Sequence, residues 1–129
     1  MRRLPFQFRF PAPAGLVAAL LFWASPLVAT ELLMVERQGC PYCIAWKKEV
    51  GPAYPHTDMG AFAPLRIIDI RDGAPEGVRF ARPAMFTPTF ILIKDGAEIG
   101  RIEGYPGEDF FWGLLEKMLK VNTDFTGPG

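Results

Sequence analysis

Gly39-Cys40-Pro41-Tyr42-Cys43 contains both cysteines of this 129-residue chain and separates them by two residues. This spacing permits three chemistries: a redox-active disulfide, half of a zinc site, or a heme attachment site. Heme attachment needs a histidine directly after the second cysteine, but Ile44 occupies that position. A tetrahedral zinc site needs two further ligands, and the sequence offers only His56, which we expect to be an ordinary exposed residue. The motif therefore indicates a redox-active cysteine pair, with no metal and no cofactor.

The residue order places this pair at the start of a helix. With Cys40 at the N-cap and Pro41 in the first turn, the proline costs no hydrogen bond, because the amide it lacks would be unpaired there anyway. The free N–H groups and the helix dipole then favour the Cys40 thiolate, and cysteine pKa values at such positions fall from about 8.5 to between about 3.5 and 7.5. Cys43 lies one turn later on the same face. We expect Cys40 to be the exposed attacking thiol and Cys43 the buried resolving thiol. An inert structural disulfide is the alternative, but so short a loop removes little chain entropy.

Composition separates an N-terminal segment from one domain. Residues 1–9 hold three arginines and precede an uninterrupted apolar run of 11 residues at 14–24, after which Ala29 offers a small residue. This order is typical of a secretory signal peptide, and the run is short against the roughly 20 residues that a membrane-spanning helix needs. We therefore expect residues 1–29 to be a signal peptide. An uncleaved membrane anchor is the alternative, because leucine, here Leu27, is unusual at the third position before a signal-peptide cleavage site.

The rest of the chain is expected to form one exported domain at 30–122, followed by a flexible tail at 123–129. Residues 30–129 keep 11 lysines and arginines against all 14 acidic residues, so their formal net charge is −3. Nucleic-acid binding would call for a clustered basic face, which this composition does not suggest. Export to the periplasm places the cysteines where disulfides persist, so a reducing role needs a dedicated electron supply.

Two strands and a helix are predicted around the cysteine pair. Residues 31–36 form a strand whose continuous apolar centre indicates cover on both faces. The helix from Pro41 carries Trp46 on its apolar stripe, where core packing is the expected role, and a Gly-Pro pair at 51–52 ends or kinks it. Residues 65–70 form a second strand with β-branched residues inside. The order strand, helix, strand predicts a parallel pair joined by a right-handed crossover.

A hairpin and a helix are predicted after a long loop. Residues 71–86 are rich in glycine and proline and are expected to be mostly loop, with one helical turn around 78–81. The Asp-Gly pair at 95–96 between two β-branched runs is a strong hairpin signal. Pro88 precedes the first hairpin strand and fits a cis peptide bond. An amphipathic helix at 107–121 closes the domain, with acidic residues in its first turn and lysines near its end.

These motifs together resemble the thioredoxin superfamily. The resemblance is carried by the Cys-Pro-Tyr-Cys pair that opens a helix, by Phe-Thr-Pro-Thr-Phe at 86–90 before a hairpin, and by the closing helix. It implies a thioredoxin-like α/β fold, with a central mixed β-sheet flanked by helices. It also implies Cys40 as the nucleophile, Cys43 as the resolving thiol and the backbone of Thr87 as a partner for bound substrate. The substrate-binding residues that it implies are Pro41, Tyr42, Thr87, Pro88, Gly104 and Tyr105.

The sequence departs from two branches of this superfamily. Thioredoxins usually have Trp-Cys-Gly-Pro-Cys and a buried acid six residues before the first cysteine, where Met34 stands here. Glu36 or water could then replace that acid as the proton acceptor for Cys43. The Pro-Tyr dipeptide is that of glutaredoxins, but the strand after Pro88 lacks the paired glycines with which that branch holds glutathione.

Residues 101–112 are similar to those of the small exported thioredoxins of bacterial sulfur-oxidation systems, the SoxS type. That similarity implies a monomeric periplasmic reductase for a protein disulfide or persulfide on a sulfur-carrier protein, recharged by a membrane thiol-electron transporter. Three alternatives stay open. The first is a glutaredoxin-like or oxidase-type disulfide exchange enzyme, the second an exported metal chaperone using the same thiols, and the third a binding domain with a structural disulfide. The motif alone leaves the direction of electron flow open.

Overall fold

The computed structural model describes Phe8, Phe10, Pro11 and residues 30–127. The expected signal peptide thus lies outside the described residues, apart from those three positions. Within the described part of the chain, no helix is long and apolar enough to cross a membrane. In chain order the elements are β1 (Thr30–Glu36), α1 (Pro41–Glu49), α2 (Asp58–Phe62), β2 (Leu65–Asp69), β3 (Thr89–Lys94), β4 (Ala97–Glu103) and α3 (Glu108–Asn122), with 3₁₀ turns at Tyr54–His56 and Ile70–Asp72.

The four strands form one mixed sheet in the order β2-β1-β3-β4. The β1 strand runs parallel to β2 and antiparallel to β3, and Met34 at its centre lies opposite both Ile67 and Phe90. The predicted hairpin joins β3 to β4, since Asp95 and Gly96 both adopt positive φ angles, of 52° and 75°. A two-residue type I′ turn requires this conformation. The predicted mixed α/β fold is confirmed.

Both faces of the sheet are buried, because successive side chains of a strand point to opposite faces. We call one the helix face and the other the loop face. The helix face combines Leu32, Met34, Phe90 and Leu92 of the sheet with Trp46, Tyr54, Phe111, Leu115 and Leu119. The loop face combines Leu33, Val35, Ile91 and Ile93 with Ile68, Ile70, Val78, Phe80 and Ala84. The prediction that β1 is covered on both faces is therefore confirmed.

The predicted helical turn at 78–81 is wrong. Arg79 is extended there and forms a bridge with Ala97 at the start of β4. Its amide donates to the carbonyl of Gly96 at 2.8 Å, and its carbonyl accepts from the amide of Glu98 at 2.9 Å. These two backbone bonds to a neighbouring strand favour extended chain over a helical turn.

Three large apolar residues of β2 and α3 are exposed, and one residue after α3 is buried. Ile67, which was expected to lie inside, is exposed on the edge strand β2, and Phe110 and Leu114 are exposed on α3. After α3 the structure describes residues 123–127 of the segment expected to be a flexible tail. Phe125 is buried there and packs edge-on against Phe62 with ring centroids 5.2 Å apart.

Candidate active site

The α1 helix begins at the cysteine pair, as the sequence predicts. Cys40 is the N-cap residue and Pro41 lies in the first turn. The amide of Cys43 donates to Cys40 Sγ at 3.2 Å, and the amide of Ile44 donates to the Cys40 carbonyl at 3.1 Å. Cys40 and Cys43 form a disulfide, with their Cα atoms 5.3 Å apart. The positive end of the helix therefore faces the Cys40 sulfur.

The two cysteines differ in accessibility in the expected order, but Cys40 is less exposed than predicted. The exposed fraction is 8% for Cys40 and 1% for Cys43. Cys40 Sγ lies 3.5 Å from the carbonyl oxygen of Thr87, so the chain before β3 covers part of it. Both cysteines belong to the core of the helix face. A partner could reach the disulfide only from the Cys40 side.

The segment before β3 is held beside Cys40 by two hydrogen bonds. The Thr87–Pro88 peptide bond is cis, as the sequence suggests. The amide of Gly104 donates to the Pro88 carbonyl at 2.7 Å, which joins the end of β4 to this segment. The hydroxyl of Thr89 donates to the Phe86 carbonyl at 2.7 Å. The structure thus brings together Cys40, Thr87 and Gly104, which are distant in sequence.

An open groove of about 510 Å³ lies beside the cysteines, and we call it the site groove. Its lining residues are Tyr42, Phe86, Thr87, Glu103, Gly104 and Tyr105. Four of the six predicted substrate-binding residues belong to this set, whereas Pro41 and the buried Pro88 lie outside the lining. Sequence reasoning missed Phe86 and Glu103. The signal for both was their position next to Thr87 and Gly104.

Tyr105 lines the site groove, and its hydroxyl is hydrogen-bonded to α1. The hydroxyl donates to Glu49 Oε2 at 2.5 Å, at the end of α1. Burial raises the pKa of Tyr105, and the bond to the Glu49 carboxylate raises it further. The ring also packs edge-on against Phe111 at 6.2 Å. Tyr105 therefore ties the loop after β4 to the helix that carries the cysteines.

The interior next to Cys43 is apolar. Met34, at the position where thioredoxins have an acid, is fully buried. Glu36 is directed to the surface and forms an ion pair with Lys47 at 2.6 Å, so it does not supply a buried carboxylate. Trp46 is fully buried too, and its Nε1 has no hydrogen-bond partner among the described residues. The expected core role of Trp46 is confirmed.

Four large apolar side chains within two residues of Cys43 or Thr87 in the sequence are exposed. They are Tyr42, Ile44, Met85 and Phe86, and we call them the apolar rim. Scattered surface apolar residues are ordinary, but Tyr42 and Phe86 line the site groove, and exposed apolar residues at a groove are typical of a protein interaction surface. Ile44 and Met85 carry no sequence motif that would have identified them.

The mixed sheet, the disulfide at a helix start and the neighbouring cis-proline define a thioredoxin-like thiol-disulfide oxidoreductase. The chain belongs to the family described as Thioredoxin-like domain, which its sequence matches over residues 29–119. It is 49% identical to the periplasmic thioredoxin SoxS from Paracoccus pantotrophus, whose crystal structure is of the reduced form. The match has a TM-score of 0.69 and covers 70% of this chain and 96% of that one. No curated protein matches the sequence. The predicted resemblance to SoxS-type thioredoxins is confirmed.

Proposed function

We propose that this protein is a periplasmic reductase that acts on a disulfide or persulfide of a sulfur-carrier protein. The observation that carries the proposal is the disulfide at the amino end of α1, accessible from the Cys40 side and next to a groove with an apolar rim. The 49% identity to a periplasmic thioredoxin named SoxS supports the location and the thioredoxin type of chemistry. The sulfur-carrier substrate is proposed from the similarity of residues 101–112 to SoxS-type thioredoxins.

The reaction begins with the reduced cysteine pair. The Cys40 thiolate, stabilised by the Cys43 amide and the helix dipole, attacks one sulfur of the partner disulfide. A Cys40–partner disulfide forms, and the other partner sulfur leaves as a thiolate. Cys43 then attacks Cys40 Sγ and releases the partner thiol. Two electrons pass to the partner, and the protein is left with the Cys40–Cys43 disulfide that the structure contains.

A persulfide would be reduced by the same two steps. The Cys40 thiolate attacks the outer sulfur of the partner persulfide, and the partner cysteine leaves as a free thiolate. Cys40 then carries that sulfur as its own persulfide. Attack by Cys43 on Cys40 Sγ releases hydrosulfide and forms the intramolecular disulfide. Both reactions require a dithiol donor to restore the reduced pair, and we propose a membrane thiol-electron transporter for this role.

The site groove is the proposed binding place for the partner segment. Backbone groups of Thr87 would pair with the extended chain beside the reacting sulfur, while Tyr42, Gly104 and Tyr105 form the walls. Pro41 and Pro88 act indirectly: Pro41 fixes the first turn of α1, and Pro88 places Thr87. Export by residues 1–29, with their basic, apolar and small segments, would bring the enzyme to the compartment of its partner.

A trapping experiment tests the proposal. The reduced Cys43→Ser protein is mixed with a sulfur-carrier protein whose cysteine is linked to 2-nitro-5-thiobenzoate. This thiolate is the better leaving group, so Cys40 attacks the carrier sulfur. We expect a covalent complex that dithiothreitol releases, because the resolving thiol is missing. The matched control, Cys40→Ser, should form none. Absence of the complex with Cys43→Ser would contradict the reductase function. So would a reduction potential of about −120 mV, the value of a strong periplasmic oxidant.

A further inference from the structure

Two charged side chains of β4 are almost completely buried. The exposed fractions of the Glu98 and Arg101 side chains are 5% and 6%. Arg101 Nε donates to Glu98 Oε1 at 2.6 Å, and Arg101 Nη2 donates to Glu98 Oε2 at 2.7 Å. A buried ion pair is costly unless its geometry is good and further hydrogen bonds satisfy it. The bidentate geometry meets the first condition, and the chain around the pair meets the second.

A β-bulge brings this pair together. Residues three apart in a regular strand point to opposite faces. Leu92 of β3 lies opposite Gly100, but the next residue, Ile93, lies opposite Glu98, so one residue of β4 is extra. An extra residue restores Glu98 and Arg101 to the same side of the strand. The irregularity of β4 is therefore what allows the ion pair.

The side chains of the pair also hold the chain at 81–83 through hydrogen bonds to its backbone. The amide of Ala81 donates to Glu98 Oε2 at 2.6 Å. Arg101 Nη2 donates to the carbonyl of Arg82 at 2.7 Å, and Arg101 Nη1 donates to the carbonyl of Pro83 at 3.4 Å. Burial alone would raise the pKa of Glu98, but the hydrogen bonds from Arg101 and Ala81 outweigh burial and lower it. Both members are thus charged at neutral pH.

The pair connects the two walls of the site groove. One wall contains Phe86 and Thr87, which follow the anchored stretch within four residues. The other wall begins with Glu103, two residues after Arg101 on the same strand. Arg82 Nη2 donates to Glu103 Oε1 at 2.6 Å, and Arg101 Nη1 lies 3.6 Å from the same oxygen.

We infer that Glu98 and Arg101 are positioning residues that set the spacing between the walls of the site groove, and hence how well an extended peptide fits beside Cys40. The inference rests on the proposed reduction of a protein substrate in this groove. Neither residue lines the groove or contacts a cysteine in the structure. Their loss should therefore weaken peptide binding and leave the thiol chemistry of Cys40 unchanged.

The test compares two disulfides with the same leaving group. One is a nine-residue peptide with valine on each side of its cysteine, which is linked to 2-nitro-5-thiobenzoate. The other is N-acetylcysteine amide linked to the same chromophore. With Arg101→Lys, we expect kcat/KM for the peptide to fall about ten-fold or more through KM, because small misplacements in a binding site have effects of this size. The rate with the small disulfide should change less than about two-fold.

A second variant and a matched control make the result specific. Glu98→Gln keeps the side-chain size and should show the same selective loss of peptide reduction. If Arg101→Lys does not fold, Glu98→Gln tests the inference in its place. Arg71→Lys is the control, because Arg71 forms a similar two-bond pair with Asp69 at 2.9 Å but is exposed and lies outside the groove. Its kinetics should be unchanged with both disulfides.

Three results would contradict these expectations. Equal losses with both disulfides, or no loss with the peptide, would overturn the positioning role alone. Absence of any peptide preference in the unmodified protein would count against the proposed protein substrate, and the inference would fail with it.

Discussion

The two faces of the sheet are stabilised in different ways. On the helix face, rings of Trp46, Phe90 and Phe111 pack with centroids 4.8 to 5.5 Å apart. The loop face is covered by a stretch with one short 3₁₀ turn, and a groove of about 390 Å³ remains open there. Hydrogen bonds between this stretch and the side chains of Glu98 and Arg101 hold it in place. Apolar packing thus fixes the helix that carries the cysteines, while polar contacts shape the segment that would meet the substrate.

The largest loss of stability is expected on the helix face. Trp46→Ala should lower the free energy of unfolding by about 3–5 kcal/mol, because it removes a fully buried ring from the aromatic cluster. Urea unfolding measures the change. Trp46→Phe is the control and should cost clearly less, since it keeps an aromatic ring and Nε1 has no partner among the described residues. Equal losses would mean that the indole N–H makes a stabilising bond.

A smaller loss is expected on the loop face. Phe80 is only partly buried against Val35 and its neighbours. Phe80→Ala should therefore lower the free energy of unfolding by about 1–2 kcal/mol, in proportion to the smaller apolar area removed from water. The same urea experiment applies. A loss as large as that of Trp46→Ala would show that both faces depend equally on apolar packing, and it would remove the contrast.

The smallest expected effect is a change in the pH dependence of stability below about pH 4. The hydrogen bonds from Arg71 lower the pKa of Asp69 from 3.8 to about 2. A carboxylate whose pKa is lowered on folding stabilises the folded state above its ordinary pKa, and this stabilisation is lost as pH falls toward the folded value. Asp69→Asn should therefore be less stable than the unmodified protein near neutral pH, with the difference closing between about pH 4 and pH 2. A difference that does not change with pH would contradict the assignment.

Local signals predicted much of this structure. The start of α1 at Cys40 follows from Pro41, and the hairpin follows from the Asp-Gly turn at 95–96, since both depend on neighbours in the chain. The extended conformation at Arg79 depends instead on backbone bonds to β4, which the composition of 71–86 does not encode.

The site was predicted only in part, because some of its contacts join residues that are distant in the sequence or depend on an irregular strand. The cysteine pair and the residues around Pro88 belong to motifs, and the structure places them together. Glu98 and Arg101 form a pair only because a bulge in β4 brings them to one side. Their separation by three residues in a predicted strand indicates opposite faces. Burial of Phe125 likewise depends on its contact with Phe62.

The asymmetry of the cysteine pair is tested most directly by alkylation of the reduced protein. Iodoacetamide is added at several pH values, and mass spectrometry measures the rate at Cys40 and at Cys43. Cys40 should react at least about ten times faster at pH 7, with a midpoint below the about 8.5 of free cysteine, because the helix start favours only its thiolate. Equal rates, or faster reaction at Cys43, would contradict the assignment of Cys40 as the attacking thiol.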